Sequence, residues 1–303
     1  MSADYLDRLA ARSLSVGSVL CVGLDPDPAS MPRSFRPDAA GIEVFCRLIL
    51  EATLPFAAAV KPNLAFFEAF GSAGLASLER LRASIPGDVP VILDGKRGDI
   101  GSTAARLASA LFDALGADAI TVNPYLGSAA IEPLIDRLDR FAYILCRTSN
   151  QGADEIQGLV VAADPSSAIP AEALALRVAR RVSTWGPGQT VGLVVAATAP
   201  SDMADIRAVA PGLPFLVPGV GAQGGDLVAA LEHGPAATPP SGDRIGRGLL
   251  VNVTRGIAGA AREGADPGEA VARAAQGWAA RLPVLGLRPP AGHRNGTDNE
   301  VLG

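Results

Sequence analysis

The sequence has few of the side chains that most enzymes use for proton transfer and metal binding. Its two histidines are His233, beside a Pro/Gly-rich segment, and His293, in a polar tail. Neither follows a predicted strand, so histidine acid–base chemistry and a histidine-rich metal site are not expected. The cysteines Cys21, Cys46 and Cys146 have no metal-ligand spacing, and an odd number argues against a disulfide framework.

Other absences limit where the protein works and what it binds. No apolar run approaches the ~18–20 residues that a membrane span needs, so no membrane association is expected. The opening "MSADYLDRLAARS" predicts a polar amphipathic helix and lacks the charged start and apolar centre of a signal peptide. We therefore expect a cytoplasmic protein. The formal net charge of -5 argues against a nucleic-acid or anionic-membrane partner.

Lysine is almost absent. Of 26 basic residues, only Lys61 and Lys96 are lysines, and all the others are arginine. Lysine offers a compact charge and a proton that can be lost, neither of which a guanidinium provides. Both lysines end predicted strands, which favours a functional role over chance retention in an arginine-rich chain.

Eight short apolar runs recur along the chain, with helical patterns between them. They are nearly continuous in apolarity, which is typical of strands buried on both faces. The chain shows no change of composition that would mark a domain boundary. The pattern predicts a single-domain (β/α)8 TIM barrel over residues 1–286, with a doubly wound open sheet as the alternative. The runs lie near 18–24, 56–61, 89–94, 118–124, 141–147, 190–198, 214–221 and 248–254.

Three segments interrupt this rhythm. Residues 150–172, after the fifth strand, and 232–247, before the eighth, are longer or richer in Pro and Gly than ordinary connections. We interpret both as surface insertions. Residues 287–303 are polar and rich in Pro and Gly, which predicts a disordered C-terminal tail.

Charged and polar residues follow the predicted strands, where a barrel of this type places its active site. Asp94 and Lys96 are two residues apart and are expected to point to the same side, with Asp99 just past the turn. Asp25 could be only a turn residue, and Asp99 could cap the next helix near the Thr103 hydroxyl. Together, however, such charges cost desolvation free energy and hold protons in defined places, which favours function. The strand-end set is Asp25, Lys61, Asp94, Lys96, Asn123, Arg147, Thr148, Ser149, Thr254 and Arg255.

A glycine-rich loop follows the seventh strand. Gly219, Gly221 and Gly224 form G-x-G-x-x-G, but the acidic residue of a dinucleotide site is missing after the next strand. With Arg255 and Gly256 after the eighth strand, the loop instead predicts a barrel phosphate site. Arg255 would bind the phosphate through two parallel hydrogen bonds.

These residues resemble a known family. "LDGKRGDIGSTA" is similar to the D-x-K-x-x-D-I-x-x-T motif of orotidine 5'-phosphate decarboxylases. The segments "GLDPDP", "VKPNLAFFEAFG", "PGVGAQGGD" and "TRGI" also resemble that family, in its longer bacterial subgroup, over most of residues 19–259. The resemblance implies a (β/α)8 homodimer that converts orotidine 5'-phosphate to UMP and carbon dioxide without metal or cofactor.

The resemblance also implies roles for individual residues. Lys96 would donate the proton to C6 of the pyrimidine, Asp94 would lie against the departing carboxylate, and Lys61 would bridge the carboxylates and the ribose. Across the dimer, Asp99 and Thr103 would reach the partner's site. The substrate-binding residues would be Asp25 for the ribose, Ser149 for the pyrimidine edge, and Gln223 and Arg255 for the phosphate.

Three alternatives stay open. A metal-dependent decarboxylase or aldolase acting on sugar phosphates shares a similar motif, but Lys61 would stand where Mg²⁺ needs an oxygen ligand. A Schiff-base aldolase would need a neutral Lys96, whereas flanking carboxylates favour its charged form. A nucleotide-binding barrel without turnover would bind UMP and decarboxylate nothing.

Overall fold

The computed structural model describes residues 4–166 and 168–286. The predicted disordered tail, residues 287–303, lies outside the described residues, and so does His293.

Eight parallel strands form one sheet, in which strands that follow one another along the chain are neighbours and the first strand also pairs with the eighth. The two ends of the sheet meet, because isolated parallel bridges join Val60 to Val91 and Asn63 to Asp94. This closure confirms the (β/α)8 barrel and excludes the open doubly wound sheet. The strands are β1 (Leu20–Leu24), β2 (Ala59–Pro62), β3 (Ile92–Arg97), β4 (Ala119–Val122), β5 (Phe141–Arg147), β6 (Val191–Val195), β7 (Phe215–Val217) and β8 (Leu249–Val253).

Helices alternate with the strands and surround the barrel. A π-helical turn, Ser109–Ala114, extends the helix that ends at Ala108, and 3₁₀ segments cover Ile245–Gly248 and Gly259–Arg262. No helix in the described ranges is long and apolar enough to span a bilayer. The α-helices are α1 (Tyr5–Val16), α2 (Ala39–Thr53), α3 (Leu64–Glu68), α4 (Gly71–Ser84), α5 (Gly101–Ala108), α6 (Ser128–Ile135), α7 (Ala153–Gln157), α8 (Leu174–Val182), α9 (Pro200–Val209), α10 (Leu227–His233), α11 (Arg255–Ala258) and α12 (Pro267–Arg281).

Local sequence explains where the longer helices begin and which face they bury. Asp38 caps α2 by accepting a hydrogen bond from the Gly41 N–H at 2.8 Å. The buried positions of α2 recur at helical spacing, as an amphipathic helix on a barrel requires. Asp266 caps α12 in the same way, through the N–H groups of Gly268 and Glu269.

The N-terminal helix closes one end of the barrel. As predicted, α1 is amphipathic, and its buried face of Tyr5, Leu6 and Leu9 packs against the side chains inside the barrel. The Tyr5 ring stacks on Phe141 with the centroids 4.7 Å apart. Because this end is filled with packed side chains, only the opposite end, where the strands terminate, is open to a ligand.

The two insertions differ in what they contact. Residues 150–172 contain α7 and a short antiparallel ribbon of Val160–Val161 with Glu172–Ala173, beside the open end. The segment 232–247 packs beneath the barrel against α1, where Arg244 pairs with Asp7 at 2.8 Å. Ser241, in this segment, is fully buried, so the expectation of a purely surface insertion is wrong here.

Candidate active site

A cavity of about 810 Å³ occupies the open end of the barrel. The rule that places active sites at the carboxyl ends of barrel strands therefore locates it correctly. Ten of the residues predicted at strand ends or for substrate binding line it: Asp25, Lys61, Asp94, Lys96, Thr148, Ser149, Gln223, Thr254, Arg255 and Gly256.

Asp94 joins two lysines from neighbouring strands. Its Oδ2 accepts a hydrogen bond from Nζ of Lys61 at 2.6 Å, and its Oδ1 accepts one from Nζ of Lys96 at 2.7 Å. The Thr121 hydroxyl, from β4, donates a third hydrogen bond to Oδ1 at 2.9 Å. Three donors thus fix the Asp94 carboxylate in the cavity. The two bonds from the lysine amines join charged groups and are therefore stronger than hydrogen bonds between neutral groups.

These contacts keep the carboxylate and the buried lysine ionised. Burial by itself would raise the pKa of Asp94, but the charges of Lys61 and Lys96 outweigh it and hold that pKa well below its usual range. Burial would lower the pKa of Lys61, yet the charges of Asp94 and Asp25 raise it overall. Lys61 is only 5% exposed, whereas the Lys96 side chain is 50% exposed and open to a ligand.

The backbone at Lys96 is unusual. Its φ is +47°, a left-handed conformation that side chains other than glycine adopt at a cost. The pairing of β3 with β4 shifts register between Leu93 and Arg97, and the Lys96 N–H donates to the Thr121 hydroxyl at 2.9 Å. Asp94 and Lys96 share the site as predicted. The reason is this irregular turn, however, and not the simple alternation of a strand.

Asp25, just past the end of β1, is half-buried and has one carboxylate oxygen without a hydrogen-bond partner. Its Oδ1 is buried without a hydrogen-bond partner. Burial raises the pKa of Asp25, while the charge of Lys61 opposes that rise. The turn itself is held by Asp27, whose Oδ1 accepts from the Ala29 N–H at 3.0 Å. Asp25 is therefore free to accept a hydroxyl donor from a ligand.

The glycine-rich loop lies at the far side of the cavity. Gly219 has a φ of +98° and Gly224 a φ of +71°, conformations that favour glycine. Nε2 of Gln223 donates to the Ser149 hydroxyl at 3.0 Å and links this loop to the end of β5. Arg255 is exposed, with no carboxylate within 4 Å among the residues that the structure describes. It is therefore a cation available to an anionic ligand.

The predicted site residues Asp99, Thr103 and Asn123 lie outside this cavity. Asp99 accepts a hydrogen bond from the neighbouring Ile100 N–H at 2.8 Å, and the N-cap of α5 is Ile100, so Asp99 is not a helix cap. Thr103 is exposed on α5. Asn123 holds a turn by accepting from the Tyr125 N–H at 3.0 Å. Within one chain these three residues are not part of the site.

Three exposed apolar side chains lie in the segments that follow β3 and β4, which are joined by a hydrogen bond from the Asn123 N–H to the Arg97 carbonyl at 2.8 Å. Ile100, Tyr125 and Leu126 are all more than half exposed, and we call these three the apolar rim. Burial of such side chains against another chain would remove apolar surface from water.

Arg147 does not face the cavity, although it follows the same strand as Ser149. Its guanidinium pairs with Asp154 and Asp202, both at 2.6 Å, and so ties α7 and α9 to the end of β5. Gln157 of α7 accepts from the Thr148 N–H at 2.9 Å and donates to the Thr148 hydroxyl at 2.7 Å. The insertion thereby positions the chain next to Ser149.

Sequence reasoning missed several residues that line the cavity. Nothing in the sequence marks Thr121 as a site residue, because threonine is common in β-strands. Gln157 lies in a segment predicted to be a surface insertion. The additional lining residues include Thr121, Gln157, Asn252 and Arg262. Within residues 4–166 and 168–286, no group of three or more His, Cys, Asp and Glu side chains is arranged to hold a metal ion.

Comparison with known proteins gives a consistent result. Residues 18–274 match the model of the orotidine 5'-phosphate decarboxylase / HUMPS family. The chain is 47% identical to orotidine 5'-phosphate decarboxylase of Roseiflexus castenholzii, over 84% of this chain and 87% of the relative. It is 45% identical to the enzyme of the same name from Thermomicrobium roseum, over 96% of this chain and 100% of the relative. The structure of Leishmania donovani OMP decarboxylase superimposes with a TM-score of 0.76 at 39% identity, covering 92% of this chain and 96% of that one.

Proposed function

The chain belongs to the orotidine 5'-phosphate decarboxylase / HUMPS family, and on that premise we propose how it converts orotidine 5'-phosphate to UMP and carbon dioxide. This reaction serves de novo pyrimidine biosynthesis. The observation that carries the mechanism is the Lys61–Asp94–Lys96 array at the centre of the cavity.

Lys96 is the proton donor in this mechanism. When the bond between C6 and the carboxylate carbon breaks, carbon dioxide leaves and the electron pair stays on C6. A protonated amine beside C6 stabilises that developing charge electrostatically. The same amine then transfers its proton to C6 and leaves UMP with a C6–H bond. Because Asp94 holds the Lys96 amine at 2.7 Å, the donor is in place before the substrate binds.

Asp94 and Lys61 complete the reacting part of the site. We assign Asp94 a position against the substrate carboxylate, where repulsion is relieved as carbon dioxide departs. Since the pKa of Asp94 is held well below its usual range, the group stays ionised at neutral pH. Lys61 bridges Asp94 and the ribose, and its buried charge keeps the neighbouring carboxylates from repelling each other.

The rest of the cavity binds the nucleotide. Asp25 accepts from the ribose hydroxyls with its unused oxygen, and Ser149 contacts the pyrimidine edge. Gln223, Arg255 and the backbone at Gly256 hold the phosphate. Binding free energy gathered at the phosphate, away from C6, lowers the barrier at the reacting carbon.

We further propose that the working unit is a cytoplasmic homodimer. Asp99 and Thr103 lie outside the cavity of their own chain, next to the apolar rim. Burying the rim against a second copy would remove apolar surface from water and bring both residues towards the partner's cavity. Asn123 stands at the same edge and would join that interface.

The direct test is the absorbance change of orotidine 5'-phosphate on adding purified protein, with and without EDTA. We expect rapid loss of substrate in both conditions. Loss of activity in EDTA would favour the metal-dependent branch of chemistry, and a borohydride-trapped adduct with a carbonyl substrate would favour a Schiff base. Binding of UMP with no turnover would leave a nucleotide-binding barrel.

A further inference from the structure

We propose that Trp278, on α12, is a positioning residue for the phosphate end of the site. It would hold the loops after β7 and β8 at the separation that a phosphate group requires. The inference rests on the proposed function, because it concerns how that same nucleotide is held.

The indole of Trp278 contacts the backbone of Gly256 and lies near Gly221 of the other loop. A Cβ atom built on Gly256 would lie 3.0 Å from Nε1 and 3.3 Å from Cε2 and Cζ2 of the ring. One built on Gly221 would lie 3.9 Å from Cζ2. The ring Nε1 also donates a hydrogen bond to the Gly256 carbonyl at 3.3 Å. One flat side chain therefore contacts the loop after β8 and lies within reach of the loop after β7.

Trp278 does not line the cavity and can affect a ligand only through the residues that it contacts. Gly221 and Gly256 both line the cavity, whereas Trp278 is not among the lining residues. Any side chain at position 256 would crowd the ring, so the glycine and the indole require each other. Trp278 therefore reaches the ligand only through the backbone that it supports.

Both the α12 helix and the Trp278 ring are held in place by neighbouring residues. The α12 helix is capped by Asp266 and buries Val271 and Ala275 in the core. Arg281, one turn further along α12, lies over the indole with its guanidinium carbon 4.3 Å from the ring centroid. The ring is thus held between this cation and the Gly256 backbone, which restricts its movement.

Removal of the indole should affect the phosphate and spare the nucleoside. Without the ring, Gly256 loses its packing partner and its carbonyl loses a donor, so the phosphate-binding backbone relaxes. We expect the affinity for UMP to fall by about tenfold in Trp278→Leu, with the affinity for uridine unchanged. The ratio of the two affinities measures the phosphate contribution alone.

The experiment titrates UMP and uridine separately into the full chain by calorimetry. Trp278→Phe keeps a flat ring without the N–H donor and should lose less UMP affinity than Trp278→Leu. Trp185→Leu is the matched control, because Trp185 is the other tryptophan of the chain and does not line the cavity. It should keep the wild-type ratio.

The outcomes separate the inference from its premise. Equal losses of UMP and uridine affinity in Trp278→Leu, or no loss of either, would overturn the positioning role. A wild-type protein that binds UMP no better than uridine would instead overturn the proposed phosphate site.

Fluorescence gives a second measurement that does not depend on a folded Leu variant. In Trp185→Phe, Trp278 is the one remaining tryptophan. Its emission should change on adding UMP or inorganic phosphate and stay constant on adding uridine. Constant emission at saturating UMP would contradict the inference.

Discussion

Nζ of Lys61 lies 2.6 Å from Oδ2 of Asp94, and both side chains are buried at the ends of adjacent strands. Their mutual attraction offsets the cost of burying each charge, which is why the pKa of Lys61 is raised and that of Asp94 is lowered. The second oxygen of Asp94 is thereby left to hold Lys96. A buried, ionised pair thus organises the one lysine that is open to the substrate.

Asp25→Asn should make the protein more stable at neutral pH. Burial raises the pKa of Asp25 above its unfolded value of ~3.9, so the folded state binds that proton more tightly. Its contribution to stability is present below about pH 4 and is lost as the pH rises through the folded pKa. At pH 7 the ionised carboxylate therefore costs stability, and the neutral amide removes that cost.

Urea unfolding at pH 7.5 and pH 4.5 tests whether Asp25→Asn raises the free energy of unfolding at neutral pH. The gain in the free energy of unfolding for Asp25→Asn should be larger at the higher pH, while UMP affinity falls because one charged acceptor oxygen is replaced by an NH2 donor. Asp243→Asn, at an exposed position, is the control and should change little at either pH. A variant less stable than wild type at pH 7.5 would refute this reasoning.

Lys96→Gly should be more stable than Lys96→Ala. Both variants lack the amine, but the φ of +47° at this position suits glycine and strains alanine. We expect a difference of about 1 kcal/mol in the free energy of unfolding. Chemical denaturation of the two variants measures it.

The matched control is the same pair of substitutions at Arg106, an exposed residue of α5. There the order should reverse, since glycine destabilises a helix interior by about 1 kcal/mol relative to alanine. If glycine is the less stable residue at both positions, the backbone of Lys96 is not strained in solution.

Arg255→Ala should mainly weaken substrate binding. Arg255 lines the cavity, and in the proposed mechanism it binds the phosphate away from C6, so loss of its charged hydrogen bond should weaken apparent affinity about ten- to a hundredfold. Steady-state kinetics with orotidine 5'-phosphate measure the change. Arg273→Ala, an exposed arginine of α12 away from the cavity lining, should leave affinity unchanged. An unaltered affinity in Arg255→Ala would remove this residue from the site.

Two inactive variants should restore activity when their subunits are mixed. If Asp99 acts in the partner's site, a dimer of Lys96→Ala with Asp99→Ala contains one site with both residues intact. Random reassortment should regain about a quarter of wild-type activity, because half of the dimers are mixed and each has one complete site. Activity after denaturation and refolding together measures the recovery.

The control mixes Lys96→Ala with Asp94→Ala. Both residues belong to the same chain's cavity, so neither site of a mixed dimer is complete and no activity should return. Recovery in this control, or none in the Asp99 mixture, would contradict the shared site.

The fold and the charged centre could be predicted because each depends on local rules. Apolar strands alternating with helices indicate a barrel, and the carboxyl ends of parallel strands meet at one mouth. Lys61, Asp94 and Lys96 were therefore correctly brought together from their positions alone. Asp25 could not be separated from a turn residue in sequence, because its burial depends on the neighbouring strands.

The remaining residues depend on contacts that sequence does not show. Trp278 lies more than twenty positions from Gly256 along the chain, and only the folded α12 brings the two together. Arg147 follows a barrel strand but turns outward to two carboxylates, which strand alternation cannot reveal. Asp99 and Thr103 lie outside the cavity of their own chain, and the role proposed for them in a partner's site is not visible in one chain.

The most direct test of the account is the rate at which Lys96→Ala decarboxylates orotidine 5'-phosphate. The free energy of unfolding of this variant should show that it stays folded. We expect the loss of the proton donor to reduce turnover by at least about a thousandfold, since both charge stabilisation and proton transfer are removed. A rate close to that of the wild-type protein would contradict the assignment of Lys96.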